Sequence, residues 1–134
     1  VRADYGAGVT DTTDTPAVPA TTDPDCVFCR IAAGEVPADL VARTERVVAF
    51  RDLDPQAPLH VLVVPVDHHR DAPSLAAADP SLLAEVTATA ARVAAELGDG
   101  QFRFVFNTGE RAGQSVFHVH GHVLAGRPLE WPPG

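Results

Sequence analysis

Residues 117–124 read Phe117-His118-Val119-His120-Gly121-His122-Val123-Leu124, and three of the chain's six histidines stand at alternate positions within them. In a strand, alternate side chains share one face and lie roughly 6.5–7 Å apart. In a helix, His118 and His122 would meet while His120 pointed away. Val119, Gly121 and Val123 are apolar. The stretch therefore predicts a strand over 117–124 with one chemical face and one packed face. Such a face suits a metal ion, a bound phosphate or a nucleophile, and the flanking sequence has to choose.

Directly upstream runs Asn107-Thr108-Gly109-Glu110-Arg111-Ala112-Gly113-Gln114-Ser115. Glycines let backbone N–H groups approach an anion closely. Asn107, Gln114 and Ser115 add neutral donors. An ordinary turn has the same composition, but this one feeds straight into the histidines. A phosphate held by the loop would sit beside the imidazoles. Neutral imidazole is a competent nucleophile towards phosphorus when its other nitrogen is hydrogen-bonded. Neighbouring imidazoles disfavour one another's charging. His120, flanked on its own face, is best placed to attack.

Further upstream, Leu40–Arg43 and Val47–Arg51 read as a hairpin across Thr44-Glu45-Arg46. Asp54–Pro58 is a proline-barred loop, and His60–Pro65 is a β-branched strand. Phe102–Asn107 alternates phenylalanines on one face. Asp25 caps an expected short helix, Cys26–Ala33, stopped by Gly34. Asp79 and Pro80 fit N-cap and N1 of a second helix. Leu82, Val86, Ala90, Val93 and Leu97 form its apolar stripe, and Gly98 stops it. Short links among the strands favour an α+β fold with an antiparallel sheet.

The 134 residues suit one small domain, 46% apolar and 21% charged. Residues 1–24 hold almost nothing bulky and read as a disordered acidic tail, with the compact domain at 25–134. The net charge of −8 argues against a nucleic-acid polymer as partner. No apolar run approaches the roughly 20 residues of a membrane span. The N-terminus lacks a signal-peptide pattern, so a cytoplasmic setting is the expectation. Two cysteines in Cys26-Val27-Phe28-Cys29 read as a metal half-site, a redox pair or two core residues.

From about Cys26 to Gly134 the chain resembles the histidine triad (HIT) superfamily, and within it the Hint branch. The resemblance rests on Ala49-Phe50-Arg51-Asp52-Leu53-Asp54-Pro55-Gln56-Ala57-Pro58, His60, Gly113-Gln114-Ser115, His118–Arg127 and the terminal Trp131-Pro132-Pro133-Gly134. Gly121 departs from it, replacing a larger apolar residue; weaker packing or greater strand mobility is expected there. The resemblance implies a five-stranded antiparallel sheet with two helices, dimerising into a ten-stranded sheet. It implies a purine nucleoside phosphoramidase in which His120 attacks the α-phosphorus of a 5′-phosphoramidate or acyl-adenylate. His60, His122, Asn107 and Ser115 would surround the phosphate, and the His118 backbone would orient the nucleophile. Asp52 would accept the ribose hydroxyls, Phe28, Ile31, Phe50 and Leu53 would hold the purine, and Trp131 would reach the partner's site. Gly113 and Gln114 complete the nucleotide contacts. Many bacterial relatives hold structural zinc through two cysteines and two histidines, here Cys26, Cys29, His68 and His118, with His69 the competitor for His68.

Asp52 capping its loop, and the apolar residues forming plain core, are the structural alternatives. The functional alternatives are a dinucleoside polyphosphate hydrolase, a nucleotide-binding regulatory module, and a zinc-structured interaction domain. The terminal Trp131–Gly134 and the intact His120 and Ser115 favour the phosphoramidase.

Overall fold

A computed structural model describes residues 21–134. All but the last four residues of the expected acidic tail lie outside the described residues. The elements are α1 (Val27–Ala32), β1 (Leu40–Arg43), β2 (Val47–Arg51), β3 (Leu59–Pro65), α2 (Ala72–Ala78), α3 (Pro80–Leu97), β4 (Arg103–Phe106), a 3-10 turn (Glu110–Ala112) and β5 (Gly121–Ala125). The strands form one antiparallel sheet in the order β1-β2-β3-β5-β4. The expected α+β architecture is therefore present.

Alternation sorts the central strands onto two buried faces. Val47, Ala49, Leu59, Val61, Val63, Val123 and Ala125 pack with Leu82, Val86, Ala90, Val93 and Ala94 of α3. Val48, Phe50, Leu62 and Val64 pack with Phe28, Cys29, Ile31 and Ala32 of α1. Burial on both faces explains why β2 and β3 read as continuous apolar runs.

Local chemistry sets the ends. Thr44 Oγ1 accepts from the Arg46 and Val47 N–H groups and closes the β1–β2 hairpin. Asp79 caps α3 through the Leu82 N–H, with Pro80 in its first turn. The buried stripe of α3 ends at Ala94, while Leu97 is 42% exposed in the last turn, which the Gly98 N–H closes on the Ala94 carbonyl. Cys26, not Asp25, caps α1: its Sγ accepts from the Cys29 N–H.

Two departures from the sequence reading matter for the site. The segment 72–78 forms an additional helix, capped by Asp71 and burying only Leu75. Pairing in β5 begins at Gly121, so His122 lies in the ladder whereas His118 and His120 precede it.

Gly121 does not loosen the packing. An ideal Cβ built there would fall 2.3 Å from two ring atoms of Phe104 and 3.1 Å from Phe106. The neighbouring phenylalanines fill the space that a side chain would occupy.

Candidate active site

The site lies on the face of the sheet that carries α1. His60 in β3 and His122 in β5 share this face, because His122 pairs with Leu62 and His60 with Leu124. Such diagonal neighbours lie within reach of long side chains. Their rings close to 2.9 Å between His60 Nε2 and His122 Nδ1. The Asp52 N–H donates to the His60 carbonyl, extending the β2–β3 ladder. This leaves Asp52 Oδ2 3.4 Å from His60 Nε2. Asp52 Oδ1 meanwhile accepts from the Asp54 N–H at 2.8 Å, so the capping role is real and leaves the second oxygen free of it.

Backbone partners assign the imidazole protons. A carbonyl can only accept. His120 Nδ1, 2.8 Å from the His118 carbonyl, therefore donates, and its Nε2 keeps the lone pair. His118 Nε2, 2.8 Å from the Pro65 carbonyl, also donates, which bares its Nδ1. His60 is the reverse case: its Nδ1 accepts from the Gln56 N–H at 2.9 Å, so its proton is on Nε2. That proton is directed at His122 Nδ1, which places the His122 proton on Nε2. His122 Nε2 is buried with no hydrogen-bond partner among the described residues.

Burial sets the electrostatics. It pushes His122 down to about 4, helped by the neighbouring His120 and His60 and opposed by Asp52. Burial also lowers His120, against the opposing influence of the His118 carbonyl and Asp52. Both rings are neutral at physiological pH. The edge of Phe28 packs on His120, ring centroids 5.0 Å apart, and on Phe50 at 5.5 Å.

The bare Nδ1 of His118 joins a second cluster. It lies 3.4 Å from Cys26 Sγ, 3.5 Å from Cys29 Sγ and 3.2 Å from His68 Nδ1, and His68 Nδ1 is 3.4 Å from Cys29 Sγ. Around a tetrahedral zinc, N–N and N–S edges are about 3.3 and 3.5 Å. These four side chains thus form a Cys2His2 cluster able to hold a metal ion. His68, not His69, is the histidine that joins His118 in this cluster. The His68 N–H donates to the Thr21 carbonyl and the Thr21 hydroxyl to the His68 carbonyl. His69 uses its carbonyl to hold the Val119 N–H at 2.7 Å.

Asp52, His60 and His122 also converge closely enough for a cation, but the proton on His60 Nε2 occupies the lone pair that a metal needs. One cluster is able to hold a metal ion and the other is joined by hydrogen bonds.

The remaining expected residues divide. Phe28, Ile31 and Phe50 are buried in one apolar cluster, with Phe28 against His118 and His120, whereas Leu53 is fully exposed. Ser115 is exposed and Asn107 half-buried. The Gln114 side chain is spent on its own loop: it accepts from the Gly109 N–H and donates to the Arg70 and Val116 carbonyls. Its backbone N–H donates to the Gly109 carbonyl at 3.1 Å. Gly113 has φ +100°, the left-handed turn that the loop requires. Trp131 is 80% exposed, with the Arg103 guanidinium 5.9 Å from its ring centre.

Residues 33–129 match the HIT domain model. The chain belongs to the HIT family. It is 46% identical over 114 residues to an uncharacterized HIT-like protein of Synechocystis sp., covering 82% of this chain and 97% of that one. A HIT family hydrolase from Legionella pneumophila superposes with a TM-score of 0.79 at 41% identity, covering 82% of this chain and all of that one. A histidine triad nucleotide-binding protein from Candida albicans superposes at 0.70 with 25% identity, over 81% and 83% of the two chains. Among the described residues, no helix of this HIT protein is long and apolar enough to cross a membrane.

Proposed function

We propose that this HIT protein is a purine nucleoside phosphoramidase of the Hint type. The observation that carries this reading is the His118 carbonyl fixed on His120 Nδ1, which leaves a neutral, buried imidazole with its Nε2 lone pair free. His120 Nε2 attacks the α-phosphorus of a nucleoside 5′-phosphoramidate or acyl-adenylate. The P–N bond, or the acyl P–O bond, breaks as the P–Nε2 bond forms, and the leaving group departs with a proton. Water then cleaves the nucleotidyl-histidine and releases the nucleoside monophosphate. The unpartnered His122 Nε2–H is a donor available to a phosphate oxygen or to the departing nitrogen. By the family resemblance, Ser115 and Asn107 are further neutral donors to the phosphate.

Asp52 suits the ribose, because a carboxylate accepts from two hydroxyls. Phe28, Ile31 and Phe50 offer an apolar wall for the purine, and Leu53 an exposed edge. A structural zinc ion fits the Cys26, Cys29, His68 and His118 cradle, where it would neutralise two thiolates and immobilise His118. Burial raises the Cys29 thiol, so a cation is the partner that favours its thiolate. β4 is an edge strand carrying Phe104 and Phe106, with Phe102 just before it, which supports a homodimer with Trp131 directed at the partner's site. The cytoplasmic setting expected from the sequence is part of this reading.

Single-turnover incubation with adenosine 5′-phosphoramidate tests the function. Amine release is expected, with near-complete loss in His120→Ala. Equal rates in the two proteins would overturn the assignment. Faster cleavage of a dinucleoside triphosphate in the same assay would favour the polyphosphate hydrolase instead.

A further inference from the structure

The proton on His122 is fixed by a chain of hydrogen bonds that begins outside the site. Arg127, just past β5, donates through Nη2 to the Gln56 carbonyl at 3.2 Å and through Nη1 to the Pro128 carbonyl at 3.0 Å. The Gln56 N–H donates to His60 Nδ1, and His60 Nε2 meets His122 Nδ1. The chain ends at the buried, unpartnered His122 Nε2. Arg127 itself is exposed.

A second observation shows that β5 and the Gln56 loop are built to meet. Gly126 has φ +97°, and a Cβ there would fall 2.8 Å from Pro58 Cβ and 3.3 Å from the Leu59 nitrogen. Only glycine allows this approach. It brings the next residue, Arg127, onto the loop.

Imidazole tautomers are close in energy, so the partner of one nitrogen decides where the proton resides. If the Gln56 N–H withdraws, only Asp52 Oδ2, 3.4 Å from His60 Nε2, still favours a proton there, and the Nδ1 tautomer becomes accessible. His60 Nε2 then becomes an acceptor, His122 donates to it from Nδ1, and His122 Nε2 turns from donor to bare lone pair. An oxyanion or a departing amine would meet the wrong end of a dipole.

We propose that Arg127 is a positioning residue: by holding Gln56 against His60 it dictates, through His60, that His122 presents a proton to the phosphate site. The catalytic consequence rests on the phosphoramidase reading, whereas the tautomer consequence does not.

Imidazole nitrogen spectra of the full chain labelled with ¹⁵N-histidine separate the two. The wild type should show His60 and His122 protonated on Nε2 and His120 on Nδ1. Arg127→Ala should give mixed tautomers at His60 and His122, leave His120 unchanged and recover in Arg127→Lys. Gln56→Pro, which deletes the donor, should convert both rings further. On adenosine 5′-phosphoramidate, Arg127→Ala should lower kcat about tenfold with KM nearly constant, a fraction of the 10²–10⁴ ascribed to a positioned acid. Wild-type tautomers at His60 and His122 in a folded Arg127→Ala protein would overturn the proposal, whatever the rate. If Gln56→Pro does not fold, Arg127→Ala alone decides it. Tautomer conversion in a protein whose wild type cleaves no phosphoramidate would sustain the positioning role and defeat the functional reading.

Discussion

His118 and His120 are joined by one hydrogen bond, from the His120 ring Nδ1–H to the His118 carbonyl at 2.8 Å. The same His118 turns its own ring into the Cys2His2 cradle. One residue therefore spans the metal cluster and the candidate nucleophile. Cys26→Ser should abolish stoichiometric zinc binding, lower Tm and reduce turnover through displacement of His118. Metal analysis of protein purified without chelator checks the first point; stoichiometric zinc in the variant would refute the cradle.

Gly121 is held empty by Phe104. Gly121→Ala drives a Cβ into the ring and should cost about 1–3 kcal/mol, the usual range for overpacking. Phe104→Leu should cost stability alone yet relieve Gly121→Ala when the two are combined. Urea denaturation of the four proteins forms a double-mutant cycle; strict additivity would show that the two positions do not share the space.

Asp52 divides its oxygens between a loop cap and the His60 side. Asp52→Asn retains a cap acceptor and removes the charge. It should raise KM for the nucleotide about tenfold, about 1.4 kcal/mol, with Tm within a few degrees. A large Tm loss with unchanged KM would assign Asp52 to folding alone.

The neutral His122 ties stability to pH. Its folded-state value is about 4, below the ordinary 6.5. The unfolded chain binds this proton first, so the contribution is full above about pH 6.5 and is lost as pH falls towards 4. Urea midpoints at pH 7, 5.5 and 4.5 should fall less steeply in His122→Asn than in the wild type. Parallel slopes in the two proteins would contradict this.

At the entrance of α3, Asp79 is held at about 2 by Arg46, Ser81 and the Leu82 N–H. This contribution is present above about pH 3.8 and disappears as pH drops through 2. Asp79→Ala should cost about 0.5–2 kcal/mol at neutral pH, the range for a lost N-cap. The gap from wild type should close in acid; a gap independent of pH would show that the charge plays no part.

The sheet was legible wherever side-chain pattern and backbone agree. β1 and β2 follow their hydrophobic runs, and Asp79-Pro80 announces α3. The segment 72–78 was not legible, because with Leu75 alone buried it shows no apolar period. The spacing of His118, His120 and His122 correctly implied extended backbone, but not that pairing starts at Gly121. Spacing from the cysteines could not separate His68 from His69; the fold does so by where Nδ1 points. What decides proton placement is the Pro65 and His118 carbonyls and the Gln56 N–H, and backbone groups leave no mark in a sequence. Asp71 and Pro73 were the available signals for α2. Arg127 and Gln56 stood inside recognised motifs with nothing to separate them from ordinary loop residues.

The low basicity of His122 bears on how an anion is held. A ring that is uncharged at neutral pH attracts phosphate through its N–H dipole and not through net charge. Dissolved ions screen a monopole far more effectively than a buried dipole. The formal net charge of −8 counts the histidines as neutral, so the chain as a whole repels an anion, most strongly at low ionic strength. With no charged imidazole to be screened, added salt only relieves that long-range repulsion, and selectivity is left to shape and hydrogen bonding.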